Sequence, residues 1–271
     1  MLEGASRRTV TVVGHELSLL EIGAGPAAVV WFPALMDSAV GFARVARRLA
    51  ASLRGRARVV AVDPPGYGVM ERPGARTPSF EDLGGAAQAL GRQLKGPILA
   101  VGNSSGAVLA TALAAGSDAV VGLALVGWCD WRRVGSPHTE LLCPSTEAEL
   151  DHLEALSWHS PRPRPAFSIE SHLERARSED YRAHVMSFDP QRYGAWIDDF
   201  KGHLTLIGGK SDRVIRPEMI ERTAAAREGS RLLWLPACGH YPHKEQPVQL
   251  ADMLYECALD AIGTESSAFV A

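Results

Sequence analysis

The 271-residue sequence is sparing with cysteine, holding four (Cys129, Cys143, Cys238 and Cys257) that lie far apart with no Cys-x-x-Cys spacing. Such spacing argues against a disulfide framework and offers no zinc signature, so buried or free thiols in a reducing compartment are expected. Long apolar runs are also missing. Every apolar stretch is shorter than ten residues or is broken by glycine and charge, well under the ~18 residues of a spanning helix. The first residues, MLEGASRRTVTVV, have no apolar segment after the arginine pair, so no secretory signal is expected. Neither sign of charge dominates: 28 basic against 31 acidic residues give a net charge of −3. No nucleic acid or anionic membrane surface is therefore an expected partner. Internal repeats, low-complexity tracts, His-x-x-x-His spacings and carboxylate clusters are absent too. His240 and His243 are separated by a proline in a loop, so neither a metal nor another cofactor is expected. These absences leave a soluble, cytoplasmic globular protein acting on a small molecule, of a length suited to one large domain. Nothing in them speaks to oligomeric state.

What is present is an alternation. Thr9–Val13 and Glu16–Ile22, joined at Gly14-His15, read as a β-hairpin. Ala28–Phe32 and Arg58–Val62 are continuous apolar runs of the kind buried in parallel sheets. Between them Phe42, Val45, Ala46 and Leu49 recur at helical spacing, with arginines on the other face. Ser79, with Asp82 three positions on, caps a helix expected to reach about Leu94. Val120–Gly127, His203–Ile207 and Arg231–Leu235 supply further strands. Helices are expected from Pro217 and over Pro247–Ala261, with a frayed tail from Gly263. Strands alternating with helices imply a mostly parallel sheet covered on both faces.

The chain centres on PILAVGNSSGAVLATALAA, residues 97–115. A buried strand over Ile98–Val101 stops at Gly102-Asn103-Ser104-Ser105-Gly106 and restarts as a small-residue helix. A reversal that sharp needs glycine at 102 and 106, because a Cβ at either place would meet neighbouring backbone. Ser104 then has strained backbone angles and an exposed Oγ at the positive end of a helix. A serine hydroxyl needs a base, and an imidazole needs an orienting carboxylate. Asp212 and His240 follow strands in the same way, so Ser104, Asp212 and His240 should emerge at one edge of the sheet. Asp130 also ends a strand, but Asp212 has turn glycines before it and a helix start after it. His243 lies beyond Pro242 and is expected to point away from Ser104.

These motifs resemble the α/β-hydrolase superfamily over nearly the whole chain. The shared landmarks are Asp63-Pro64-Pro65-Gly66-Tyr67-Gly68, the GNSSG turn, Gly209-x-x-Asp212 with Pro217 following, and Gly239-His240 with Glu245-Gln246-Pro247. The resemblance implies an eight-stranded, mostly parallel sheet flanked by helices, with a helical cap inserted after the sixth strand. It divides the chain into a core of 1–128 and 202–271 and a cap of 129–201. In that cap Thr146–Glu149 forms a capping box leading towards Trp158, and Pro161–Pro165 is a stiff joint. A second helix is expected over Ser168–Met186, with Ser171 and Glu174 as an internal cap. Trp128, Trp131 and Trp158 are the expected apolar walls of the pocket. Members commonly carry His-Gly after the third strand, where this chain has Pro33-Ala34-Leu35. The backbone N–H groups of Leu35 and Ser105 are nonetheless the expected oxyanion donors, because main chain can serve there. The resemblance implies a serine hydrolase of esters, thioesters or lactones working through an acyl-enzyme. It also covers C–C hydrolases, acyltransferases, cyclases and non-catalytic ligand binders.

Overall fold

The computed structural model describes residues 4–71, 76–135, 139–161 and 163–263. Its apolar runs become eight strands: β1 Ala5–Val12, β2 His15–Ile22, β3 Ala27–Phe32, β4 Ala57–Asp63, β5 Ile98–Asn103, β6 Val120–Val126, β7 His203–Gly209 and β8 Arg231–Leu235. They form one sheet in the order β1-β2-β4-β3-β5-β6-β7-β8. The hairpin strands β1 and β2 run antiparallel, as does β2 against β4, and every later pairing is parallel. All residues of β3 and β5 are buried, as expected where helices cover both faces.

The core helices are α1 Ala43–Leu53, α2 Phe80–Gln93, α3 Ser105–Ala115, α9 Pro217–Ala225 and α11 Pro247–Ile262. Residues of α2, α3 and α9 share one apolar cluster with the sheet, including Leu83, Leu90, Leu109 and Ile220. Val45, Leu49, Leu250 and Leu254 of α1 and α11 pack on the opposite face. The Ser79 side chain and Asp82 complete the expected capping box of α2, each satisfying the other's backbone N–H.

Between β6 and β7 the chain makes α4 Trp131–Val134, α5 Glu147–Ser157, α6 Ala166–Arg177, α7 Glu179–Met186 and α8 Pro190–Asp198. Thr146 caps α5, accepting from the Glu149 N–H, but the expected box is not closed on Thr146: the Glu149 carboxylate accepts instead from the N–H and hydroxyl of Ser145. The single helix expected over 168–186 is instead two, broken at Ser178 and not at the Ser171–Glu174 pair. Ser178 is extended (φ −64°, ψ 141°), and its Oγ donates to the Arg175 carbonyl at 2.8 Å. Asp180, in the first turn of α7, accepts from Arg175 and from the N–H and hydroxyl of Thr77. Helix α8 was not anticipated, although Asp189 caps it and Pro190 opens it. A short turn of helix, α10 Pro242–Glu245, also follows the last strand. Arg162 of the proline-rich joint and the tail beyond Gly263 lie outside the described residues. No helix among the described residues is long and apolar enough to cross a membrane.

Candidate active site

The chain reverses between β5 and α3 with Ser104 at φ 54° and ψ −118°, a region that side-chain-bearing residues rarely occupy. The flanking glycines explain how this is tolerated. A Cβ at Gly102 would strike the Gly106 carbonyl, and one at Gly106 would strike the Phe32 and Pro33 carbonyls. The Ser104 N–H is anchored on the Val126 carbonyl at 2.8 Å, which ties the turn to β6. No backbone hydrogen bond engages the N–H of Leu35 or of Ser105 among the described residues. Both residues line the same cavity as Ser104.

Asp212 and His240 are brought together at the ends of β7 and β8. The Asp212 Oδ2 lies 2.7 Å from His240 Nδ1, with Asp212 1% and His240 4% exposed. A carboxylate can only accept, so Nδ1 carries the ring proton and Nε2 is left with the lone pair that a general base needs. The other Asp212 oxygen accepts the N–H groups of Val214 and Ile215 at 2.9 Å each, so the carboxylate cannot rotate freely. Gly127, at φ 54°, leaves room for the imidazole, since a Cβ there would lie 3.2 Å from His240 Nδ1. No hydrogen bond joins Ser104 Oγ to the imidazole among the described residues. Contacts of this kind often close only in the substrate complex.

Two groups that sequence reasoning passed over hold this arrangement. Asn103 Nδ2 donates to the carbonyls of Val126 and His240, locking the base loop to the strand that carries Ser104. Its place between Gly102 and Ser104 is the only local clue to that role. The C-terminal carbonyls of cap helix α5 grip both loops: Ser157 accepts the His240 N–H at 2.5 Å, and Leu156 accepts the Arg213 N–H at 3.0 Å. This depends on contacts over 50 residues away in sequence and has no local signature.

The alternative residues are engaged elsewhere. Asp130 is buried and bonded to the Arg132 and Arg133 guanidinium groups, while its N–H donates to Thr223. It anchors the start of the cap excursion and does not face His240. His243 turns its Nε2 to Asp37, 2.6 Å away.

The cavity above Ser104 holds about 400 Å³ and is mostly apolar. Trp128 and Trp131 line it, as do Leu35, Phe80 and Phe188. Trp158 does not, contrary to expectation. It ends α5 in an extended conformation and packs its ring on Tyr241, with centroids 5.3 Å apart, because the α5 terminus is held down on the loops of Asp212 and His240. A second polar set borders the cavity wall. His184 lies between the Pro78 carbonyl (2.6 Å from Nδ1) and Tyr67 Oη (3.0 Å from Nε2). The carbonyl accepts from Nδ1–H, so the tyrosine hydroxyl donates to Nε2, and burial pushes the imidazole down to about 4. Among the described residues no group of three or more His, Cys, Asp or Glu side chains is placed to hold a metal ion.

An eight-stranded sheet with a serine-bearing strand-to-helix turn and an Asp–His pair at its strand ends defines an α/β-hydrolase architecture. The sequence model of the alpha/beta hydrolase family matches residues 23–253, and the chain belongs to that family. Its fold is shared by a membrane phospholipase A described as a bacterial virulence factor, at a TM-score of 0.74 and 22% identity over 96% of this chain and 87% of that one. It is also similar to a serine hydrolase involved in carbazole degradation (TM-score 0.69, 21% identity, 93% and 98% covered). An epoxide hydrolase from Vigna radiata matches at a TM-score of 0.66 and 17% identity over 94% and 98% of the two chains. No curated protein matches the sequence.

Proposed function

We propose that this chain is a serine hydrolase acting on a carboxylic ester, thioester or lactone of a small, largely apolar molecule. The observation that carries the reading is the Asp212–His240 pair beside Ser104, whose strained turn sits on the floor of an apolar cavity. His240 Nε2 takes the Ser104 proton as Oγ attacks the carbonyl carbon, and Asp212 stabilises the imidazolium. The Leu35 and Ser105 N–H groups receive the oxyanion. Collapse expels the alcohol or thiol with the proton from His240, and water repeats the cycle on the acyl-enzyme.

A hydroxyl nucleophile also argues against two chemistries seen on this fold. Attack of Ser104 on an alkyl halide or an epoxide would leave an ether, which water activated by an imidazole does not cleave. Acyl carbon is the electrophile that lets this serine turn over. The test is labelling by a fluorophosphonate together with turnover of p-nitrophenyl butyrate. Ser104→Ala should lose the label and about 10⁴- to 10⁶-fold in kcat while keeping its melting temperature within a few degrees. Near wild-type turnover in that variant would remove Ser104 from the role.

A further inference from the structure

One buried polar cluster near the site has no part in the mechanism above. Asp37, 7% exposed, sits at the end of the turn that carries Leu35, and its Oδ2 meets the Nε2 of fully buried His243 at 2.6 Å. Its Oδ1 meets Lys244 Nζ at 3.0 Å, with the lysine reaching solvent. A carboxylate accepts, so His243 donates from Nε2. Its Nδ1 is buried without a partner, which disfavours a second ring proton there. The imidazole packs against Trp31, which in turn stacks on Phe42 with ring centroids 4.0 Å apart.

Both ends of this contact matter for geometry. On one side the Asp37 N–H donates to the Ala34 carbonyl at 3.1 Å, closing a turn with Leu35 and Met36 at its centre. Met36 has φ 57°, a left-handed conformation that an unbranched side chain accepts only when its surroundings impose it. On the other side His243 lies three residues after His240, in the short helix α10 that directly follows the loop carrying His240. The chain after β3 and the chain after β8 are thus joined directly by buried side chains some 200 residues apart. A buried hydrogen bond between a carboxylate and a neutral imidazole is a poor device for stability alone, because apolar residues of similar volume commonly do as well. What it supplies, and apolar packing does not, is a fixed distance and direction.

We propose that Asp37 and His243 are positioning residues that hold the Leu35 turn in register with the His240 loop, so that the Leu35 N–H meets the oxyanion. The inference rests on the reading of Ser104 as nucleophile and Leu35 as an oxyanion donor. The cluster touches no reacting atom. It acts through the turn, and its effect belongs to the transition state and not to substrate binding.

The experiment compares Asp37→Asn and the apolar double variant Asp37→Leu/His243→Leu with the wild type. Each preparation is titrated with a fluorophosphonate so that rates refer to active Ser104. Turnover of p-nitrophenyl butyrate is then measured beside inhibition by an alkyl trifluoromethyl ketone. In that adduct Ser104 Oγ bonds the carbonyl carbon, its proton passes to His240, and the carbonyl oxygen becomes an oxyanion facing the two N–H groups. A displaced donor should lower kcat per titrated site by roughly 10²-fold, with KM changed less than about 3-fold. The ketone inhibition constant should rise in parallel with the loss of kcat, and the shape of the pH–rate profile should not change. Full turnover per titrated site in the double variant would overturn the proposal and leave the pair a packing device, as would a loss expressed in KM alone. Failure of the underlying reading is separately visible, as a wild type in which the fluorophosphonate does not titrate Ser104.

Discussion

At the scale of single residues, two buried aspartates at strand ends have different partners. Asp212 spends one oxygen on backbone N–H groups and the other on His240, whereas Asp130 spends both on arginines. Asp212→Asn should therefore cost about 10⁴-fold in kcat, since an amide can stabilise the wrong imidazole tautomer. Asp130→Asn should leave kcat within about 3-fold and instead lower stability by about 2 kcal/mol, the scale of hydrogen bonds to charged groups. Steady-state kinetics and denaturant melts on the two variants measure both numbers. The reverse ranking would move the catalytic acid to the end of β6. A third residue-scale expectation concerns the turn itself. Gly106→Ala places a methyl against the Phe32 and Pro33 carbonyls, so the chain after β3 must move. Soluble protein from that variant should show a large kcat defect, read after fluorophosphonate titration.

At the scale of elements, α7 is pinned to the core by groups that respond to pH. His184, 1% exposed, stacks on Phe80 and accepts from Tyr67, and burial pushes its imidazole down from about 6.5 to about 4. The unfolded chain then binds a proton that the folded chain refuses. Stability is intact above pH 6.5, falls as pH drops below that value, and stops falling through this group near pH 4. The full effect is about 3 kcal/mol. Melting temperatures at pH 7 and pH 4.5 should therefore differ more for the wild type than for His184→Gln, which cannot take up the proton. Equal shifts in the two proteins would show that other groups govern acid sensitivity.

At the scale of the whole molecule, the cavity above Ser104 is lined by residues of the sheet's loops and helices and by residues of the segment between β6 and β7. The cavity floor is the β5–α3 turn, and the walls come from residues as distant in the chain as Phe80, Trp131 and Met219. Helix α5 ends on the loops of Asp212 and His240, so a helix from between β6 and β7 contributes directly to holding His240. Trp131 stands in the wall and is only partly buried, which makes it a place to change capacity without touching Ser104, Asp212 or His240. Trp131→Ala should shift preference towards longer acyl chains. The ratio of kcat/KM for p-nitrophenyl octanoate over butyrate should rise about 10-fold, the scale of a few buried methylenes regained. An unchanged ratio would place the acyl group elsewhere in the cavity.

The order of the strands in the sheet was not legible in the bare sequence, whereas the mostly parallel sheet, the strained turn at Ser104 and the chain order Ser104, Asp212, His240 were. Each is written locally: apolar run length marks a buried strand, paired glycines mark a reversal too tight for a Cβ, and a capping residue marks a helix start. The turn glycines before Asp212 and Pro217 after it likewise pointed to the aspartate that pairs with His240. The break at Ser178, the retreat of Trp158 from the pocket and the clasp between Asp37 and His243 were not. All three are set by partners far along the chain: Thr77 for Asp180, the catalytic loops for the end of α5, and a turn some 200 residues away for His243. Local sequence sets the conformations open to a segment. Where a polar side chain must be satisfied when buried, only the folded neighbourhood can name the group that satisfies it.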